Sequence, residues 1–198
     1  MKEEIKIERL KKSEMPKVID LFTQAFDSAH PLIPALRIKP EATRKIIKAF
    51  LDFFCNTKSY YLYGILKDNK LICASLSLDS TTKPSIFALI RFAIVVIWTL
   101  GWHSREFKII HKEEQKYEGK YLNLILLGTL PAYQKQGFGR KMLHFLQKKA
   151  KEENYKGVIL LVNKDLPAFH FYLKEGYIIV KEFKVSGTTF CCMKLEFN

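Results

Sequence analysis

The spacing of apolar positions changes from one segment of the chain to the next, and each spacing predicts one type of element. Residues 4–10 alternate apolar and polar side chains, which predicts a strand. Residues 15–27 and 40–54 carry apolar side chains at every third or fourth position, which predicts two helices. Residues 60–66 and 70–78 predict two strands joined by a tight turn. The first part of the chain is therefore expected to run strand, helix, helix, strand, strand.

The second part of the chain continues this mixed pattern. Residues 122–130 and 157–162 are short apolar runs, which are typical of buried strands. Residues 138–150 and 166–173 have helical spacing. Residues 177–197 predict a closing hairpin. Because strands and helices are interleaved without repeats or a linker, we predict a single domain of mixed α/β fold over residues 1–198.

One segment, residues 84–118, interrupts this alternation. Its first part, residues 84–102, is almost uniformly apolar, but Arg91 breaks the run too early for a membrane span, which needs about twenty apolar residues. We therefore expect no membrane span. We predict instead a helix packed on the domain and over a binding cleft, followed by an amphipathic helix over residues 104–118.

Composition narrows the possible classes of protein. A hydrophobic fraction of 48% in 198 residues indicates a folded globule. The formal net charge of +13 suits a multiply anionic ligand or a nucleic acid, but no nucleic-acid-binding signature is visible, so nucleic acid is an unlikely partner. The cysteines have no metal-ligand spacing, and we expect them to be reduced, mostly buried and without metal: Cys55, Cys73, Cys191 and Cys192. The N-terminus has no apolar signal region, and we expect a cytoplasmic protein.

The most informative stretch joins the predicted strand 122–130 to the predicted helix 138–150. It reads Gln134, Lys135, Gln136, Gly137, Phe138, Gly139 and Arg140. Its two glycines remove Cβ atoms where the loop becomes a helix, which lets backbone N–H groups converge on one point. The first N–H groups of a helix have no partner inside it and attract negative charge. The loop therefore predicts a site for a phosphate or pyrophosphate, with Lys135 and Arg140 adding positive charge.

Two known phosphate loops do not fit this stretch. A Walker loop ends in Gly-Lys-Ser/Thr, whereas Gly139 is followed by Arg140 and Lys141. A dinucleotide fingerprint has a third glycine where this chain has Met142. A glycine-rich turn without a ligand remains the alternative. The stretch itself resembles the Gln/Arg-x-x-Gly-x-Gly/Ala loop that binds the pyrophosphate of acyl-coenzyme A in the GNAT acetyltransferases.

A second stretch strengthens this resemblance. Asn163, Ala168, Phe171, Tyr172 and Gly176 match the second GNAT signature, which departs from the family only in ending with Tyr177 instead of phenylalanine. Within it, Asp165 is the expected cap of the helix that carries Tyr172. The resemblance is strong from Lys120 to the C-terminus, and upstream it covers only the order of elements. The insertion and the C-terminal segment further resemble the puromycin N-acetyltransferase-like branch.

The resemblance implies a fold, a donor and a set of residues. The fold is the GNAT acyl-CoA N-acyltransferase fold, a central, mostly antiparallel twisted sheet flanked by helices, here with a helical insertion at about 84–118. The strands that hold residues 122–130 and 157–163 would splay apart around acetyl-CoA, and coenzyme A would be the product. The implied donor contacts are the backbone of Leu127, Gly128, Thr129 and Leu130 for the pantetheine arm, the backbone of residues 134–140 for the pyrophosphate, and Asn163, Ala168 and Phe171 beside them. Tyr172 would face the sulfur as general acid.

The expected activity is N-acetylation of a primary amine on a small molecule or peptide, by direct attack in a ternary complex. Transfer of a proton from a tyrosine with a pKa near 10 to the thiolate of a thiol with a pKa near 8.5 is energetically unfavourable. A hydrogen bond to the thiolate is therefore the more defensible role for Tyr172. No base is identified; Asp79 and Glu118 are weak candidates, and His30, His103 and His111 could line the cleft.

The acceptor side is less defined. Aromatic residues of the insertion indicate an acceptor pocket, with plain core packing as the alternative: Phe92, Trp98, Trp102 and Tyr117. The alternative functions are a non-catalytic acyl-CoA sensor and an acetyltransferase that acts on a protein or a ribosome-associated substrate. The protein is expected to be a monomer or a homodimer.

Overall fold

A computed structural model of the protein describes residues 4–26, 40–56, 59–82, 85–100, 109–110, 112–113 and 117–197. Its strands and helices are, in chain order, β1 (Ile5–Arg9), α1 (Met15–Ala25), α2 (Pro40–Phe54), β2 (Tyr60–Lys67), β3 (Lys70–Asp79), α3 (Ile86–Leu100), β4 (Leu122–Thr129), α4 (Phe138–Glu152), β5 (Gly157–Asn163), α5 (Pro167–Lys174), β6 (Ile178–Val185) and β7 (Thr188–Glu196). These bounds agree closely with the predicted ones, while most of the predicted helix 104–118 lies outside the described residues.

The described strands form one sheet in the order β1-β2-β3-β4-β5-β7-β6. All neighbouring pairs are antiparallel except β4 and β5, which are parallel. Apolar side chains form one cluster with α1 and α2 and another with α4 and α5. Neighbouring residues of β3 belong to different clusters, Cys73 to the second and Ala74 to the first, so the helix pairs cover opposite faces of the sheet. The predicted mixed fold, with a mostly antiparallel sheet between helices, is confirmed.

The parallel pair in the middle of the sheet is open at one end. β4 and β5 are paired only from Leu122 with Val158 to Leu124 with Leu160. On its other side, β4 pairs with β3 along its length, but the register shifts so that Ile125 is an extra residue. Such a bulge bends and twists a strand, and the remaining residues of β4 and β5 diverge from this point. The separation of the strands that the family resemblance implied is therefore present.

The apolar insertion packs on the outside of α2. The ring of Phe92 lies 5.1 Å from that of Phe50 and 4.8 Å from that of Phe53. On the opposite side of α3, Phe87 and Trp98 are 76% and 86% exposed. Among the helices that the structure describes, none combines the length and the apolar character needed to cross a bilayer.

The aromatic residues of the insertion do not share one pocket. Phe92 faces α2, Trp98 faces outward, and the Tyr117 ring lies 5.5 Å from the Tyr121 ring. Trp102 lies outside the described residues. For Phe92 the alternative interpretation, packing against the core, is the one the structure supports.

Candidate functional site

The glycine loop begins where β4 ends. A short 3-10 turn, Pro131–Tyr133, directs the chain away from the sheet, and Gly137 then occupies the cap position of α4 with a φ of 84°. No atom lies within 4 Å of the place where a Cβ at Gly137 would sit, so the glycine is needed for its backbone angle and not for space. The first helical hydrogen bond runs from the Lys141 N–H to the Gly137 carbonyl oxygen at 2.9 Å. The preceding amides of the helix start therefore have no intrahelical acceptor.

Two glutamine side chains fold the loop back onto the strand. Gln134 Nε2 donates to the Thr129 carbonyl oxygen at 3.1 Å, and Gln136 Nε2 donates to the Ala132 carbonyl oxygen at 3.0 Å. Phe138 is buried and fixes the start of α4 in the core. The Gln134 N–H is taken by the Pro131 carbonyl oxygen at 3.2 Å, so the amides that can line the mouth of the helix are those after Gln134. Amides at a helix start are the arrangement that an anion needs.

The side chain of Arg140 has a protein partner. Its Nε donates to Glu175 Oε1 at 2.6 Å, while His144 Nε2 lies 2.7 Å from Glu175 Oε2. Burial raises the pKa of the Glu175 carboxyl, but the hydrogen bonds from Arg140 and His144 outweigh it and hold the pKa below its usual value. The positive charge that the sequence places beside the loop at Arg140 is therefore paired, through Nε, with the Glu175 carboxylate.

The backbone of β4 offers only some of its groups to the gap. Leu130 donates its N–H to the Ile72 carbonyl oxygen at 2.9 Å, and its own carbonyl accepts the Tyr133 N–H at 2.8 Å. Because alternate residues of an antiparallel strand turn toward the partner, Gly128 also points to β3, and Leu127 and Thr129 point toward the gap. Of the four expected pantetheine contacts, Leu127 and Thr129 have backbone groups directed toward the gap, and the contacts themselves stay a prediction.

Gly128 is required for a different reason. A Cβ at this position would lie 2.9 Å from Phe22 Cδ1 and 3.1 Å from the Ala25 Cβ. The glycine lets α1 pack directly against β4, and its side of the strand belongs to the core and not to the gap.

Asn163 ends β5 at the gap, and its side chain is only partly satisfied. Its Oδ1 accepts the backbone N–H of Asp165 at 2.9 Å, and the residue is 2% exposed. Its Nδ2 is buried and has no hydrogen-bond partner among the described residues. A buried donor without a partner is unfavourable unless a ligand or water accepts from it. This contact makes Asn163 the residue that forms the turn before α5. The expected cap at Asp165 is wrong, because no side chain caps that helix.

Tyr172 lies on α5, 8% exposed, in the same apolar cluster as the start of α4. Burial raises the pKa of its hydroxyl, and the neighbouring Tyr177 and Cys73 raise it further. Ala168 and Phe171 are half-buried and pack on this cluster. Thr129 Oγ1 lies 3.3 Å from Cys73 Sγ, which connects the end of β4 to the surroundings of Tyr172.

Of the candidate bases, Asp79 has contacts within the protein, and no contact involving the Glu118 carboxylate is found among the described residues. Asp79 Oδ1 accepts the Thr81 N–H at 2.8 Å, and Asp79 Oδ2 accepts from the Tyr155 hydroxyl at 3.3 Å, so Asp79 closes the turn after β3. The three histidines named as candidates, His30, His103 and His111, lie outside the described residues. Among the residues that are described, no three His, Cys, Asp or Glu side chains are grouped as metal ligands.

Sequence reasoning missed Glu175 as a residue of the site. The sequence offers only one signal for it, a carboxylate about one helical turn after Tyr172. No pattern along the chain connects this carboxylate to Arg140, which lies 35 positions earlier.

Comparison with known proteins agrees with this geometry. The sequence profile described as "Acetyltransferase (GNAT) family" matches residues 22–177. No curated protein shows significant sequence similarity to the chain.

Several solved structures share the fold at low sequence identity. A putative GNAT acetyltransferase from Desulfovibrio desulfuricans is 12% identical with a TM-score of 0.61, covering 98% of this chain and 99% of that one. The PaiA N-acetyltransferase from Thermoplasma acidophilum, in complex with coenzyme A, is 14% identical with a TM-score of 0.59 and the same coverage, 98% and 99%. Arabidopsis thaliana Naa50, in complex with the bisubstrate analogue CoA-Ac-MVNAL, is 12% identical with a TM-score of 0.58, again with 98% and 99% covered.

Proposed function

The chain belongs to the GNAT family of acetyltransferases, and from that premise we propose that it transfers the acetyl group of acetyl-CoA to a primary amine of a small molecule or peptide. The attack is direct, within a ternary complex of protein, donor and amine. Coenzyme A and the N-acetylated amine are the products.

The observation that carries this proposal is the continuity between the strand gap and the amide loop. The pairing of β4 with β5 stops at Leu124 and Leu160, and β4 then runs on to the loop that opens α4 at Gly137. A donor whose diphosphate is held by the loop amides can lay its pantetheine arm along the free edge of β4, in the manner of an added strand. Leu127 and the N–H of Thr129 would supply the backbone groups for that arm, since the Thr129 carbonyl oxygen already accepts from Gln134.

The unpaired Nδ2 of Asn163 suits the opposite wall of the same gap. It is a buried donor on the last residue of β5, beyond the point where the pairing of β5 with β4 stops. An amide-rich pantetheine arm offers carbonyl oxygens that accept from such a group. A relative with coenzyme A bound, the enzyme from Thermoplasma acidophilum, supports a donor of this class.

In this proposal Tyr172 stabilises the leaving thiolate. The neutral amine nitrogen forms a bond to the acetyl carbon, the carbon–sulfur bond breaks, and the thiolate carries the electron pair away. The nitrogen gives up its extra proton to water, and water returns a proton to the thiolate as coenzyme A leaves. Because the pKa of Tyr172 is raised above its usual value near 10, proton transfer to a thiolate with a pKa near 8.5 is uphill. The protonated hydroxyl therefore acts by donating a hydrogen bond, which lowers the barrier without a full transfer.

Direct attack by the amine is supported by the protonation state of the Cys73 thiol, which lies 3.3 Å from Thr129 Oγ1. Burial raises the pKa of Cys73 to about 11, and the hydrogen bond from Thr129 offsets only part of that rise. At neutral pH the thiol is protonated and weakly nucleophilic, because the thiolate is the reactive form. An acetylated cysteine intermediate is therefore disfavoured.

The test is turnover of acetyl-CoA with a panel of amines. The panel contains alkyl and aryl amines and short peptides with free N-termini, the latter because Naa50 was solved with a CoA–peptide analogue. Release of the coenzyme A thiol and the mass of each product are recorded, with donor alone as the blank. Acetylation of at least one amine class supports the proposal. Binding of acetyl-CoA without acetylation of any amine would favour a sensor, and absence of donor binding would refute the site.

A further inference from the structure

The guanidinium of Arg140 is held by a covered carboxylate. Arg140 Nε and Glu175 Oε1 are 2.6 Å apart, and only 7% of the Glu175 side chain is exposed. The second carboxylate oxygen is taken by His144 Nε2 at 2.7 Å. A covered carboxylate is stable when its oxygens are paired in this way, so the contact fixes the position of Arg140 and connects the first turn of α4 to the end of α5.

The pairing leaves most of the guanidinium available. An arginine has five N–H donors in a rigid plane, and Glu175 is recorded as accepting only from Nε. The Arg140 side chain is 57% exposed. For its two Nη groups no acceptor is found in the part of the chain that the structure describes. A planar fork that is already fixed in place loses little entropy when it binds an anion.

The position of the fork decides which anion it suits. Arg140 is the third residue of α4, beside the amide loop, and its contact with Glu175 holds the side chain against the residue that follows α5. The loop amides suffice for a pyrophosphate. Coenzyme A carries one more phosphate, a monoester on the 3′-oxygen of its ribose, separated from the pyrophosphate by that sugar. A monoester dianion is the kind of group that an arginine fork binds best.

We propose that Arg140, positioned by Glu175, binds the ribose 3′-phosphate of the donor and makes the protein select coenzyme A over 3′-dephospho-coenzyme A. This inference rests on the proposed donor site and assigns one specificity to it. Arg140 is the contact residue. Glu175 is a positioning residue that acts through Arg140, and the exposed ring of His144 shares its carboxylate.

Calorimetric titration with coenzyme A and with 3′-dephospho-coenzyme A tests this assignment. The wild-type protein is expected to bind coenzyme A about tenfold more tightly, which corresponds to one charge-assisted contact. Arg140→Ala should weaken the binding of coenzyme A about tenfold and leave the binding of 3′-dephospho-coenzyme A unchanged. The dissociation constant of the dephospho form divided by that of coenzyme A then falls to about one. Glu175→Gln and Arg140→Lys should also lower this ratio. The first removes the charge that positions the guanidinium, and the second removes the guanidinium itself.

The matched control is Lys148→Ala on the same helix. It removes one positive charge from a side chain that is 76% exposed and lies two turns further along, and the ratio should not change. Thermal unfolding of each variant confirms that it is folded, and Arg140→Ala and Arg140→Lys decide the question if Glu175→Gln does not fold.

Two results would overturn this inference and leave the proposed donor site intact. The wild-type protein could bind both forms equally, or Arg140→Ala could weaken both by the same factor. Failure of the wild-type protein to bind either form would instead refute the proposed function.

Discussion

Asn163 Oδ1 accepts the Asp165 N–H at 2.9 Å, while Nδ2 of the same side chain is buried without a hydrogen-bond partner among the described residues. The side chain thus has two separable tasks. Its oxygen forms the turn before α5, and its nitrogen remains available for the donor.

Exchanging the amide for a carboxylate separates these tasks. Asn163→Asp keeps the oxygen that forms the turn but replaces the donor with a second acceptor, and coenzyme A binding should weaken at least about tenfold. Asn163→Ala removes both groups and should in addition lower stability by about 1 kcal/mol. Calorimetric binding and chemical denaturation measure the two effects. Wild-type affinity in Asn163→Asp would exclude the nitrogen from the site.

Removal of the Tyr172 hydroxyl should slow the reaction without loosening the donor. Tyr172→Phe is expected to lower kcat by about tenfold to a hundredfold, because a hydrogen bond to the developing thiolate is lost. The coenzyme A dissociation constant should stay within about twofold, since the hydroxyl acts on charge that forms during reaction. Tyr177→Phe is the matched control, a buried tyrosine whose ring lies 5.5 Å from that of Tyr172. A similar loss in both variants would point to packing.

The pH profile gives an independent check on Tyr172. Its pKa is raised, so the hydroxyl stays protonated up to and beyond its usual value near 10. We expect kcat to rise with pH as the amine loses its proton and to show no descending limb below about pH 10. A descending limb near pH 8 that disappears in Tyr172→Phe would show that the tyrosine acts as an acid with a lowered pKa.

Two glycines with the same backbone geometry separate strain from binding. Gly137 and Gly187 have φ values of 84° and 86°, and neither has an atom within 4 Å of its missing Cβ. Alanine at either position should lower the free energy of unfolding by about 1–2 kcal/mol, because the left-handed conformation is strained for a residue with a side chain. Only Gly137→Ala should also weaken coenzyme A, since Gly187 lies in the hairpin between β6 and β7. Equal affinities for the two variants would contradict the loop assignment.

The pair of Arg140 with Glu175 should make stability depend on acid pH. The Glu175 pKa is lowered in the folded protein, so its contribution is present above the unfolded value near 4.3 and is lost as pH falls through the folded value. Glu175→Gln should therefore be less stable than the wild-type protein by about 1 kcal/mol at pH 7, and the difference should shrink as pH falls from the unfolded pKa through the lower folded pKa of Glu175. Urea denaturation between pH 3 and pH 7 measures this difference. A constant difference across that range would show that the charge of Glu175 contributes nothing.

The control for this prediction is Glu152, the last residue of α4. Glu152 pairs with Lys149 at 2.7 Å, but both side chains are about half exposed, 44% and 40%. Solvent screens such a pair, so Glu152→Gln should change the pH dependence less than Glu175→Gln does.

The sequence alone determined the elements and the loop. Apolar spacing follows the geometry of the backbone, with a period of two in strands and near 3.6 in helices, and so the order of elements could be predicted closely. Gly137 and Gly139 before an amphipathic helix likewise predict exposed amides, because backbone angles and helix ends are local properties. The stretch from Asn163 to Tyr177 could be matched to a family because its residue types lie at fixed spacings along the chain.

The tertiary structure decided which groups meet. The gap depends on a bulge at Ile125, which arises from the pairing of β4 with β3 and leaves no mark in the apolar pattern. Gly128 is a glycine because Phe22 packs on it, and Arg140 is held by a carboxylate 35 residues away. Contacts of this kind depend on which faces the sheet brings together. A chain's local spacing encodes its elements, but only their packing fixes the partners of each side chain.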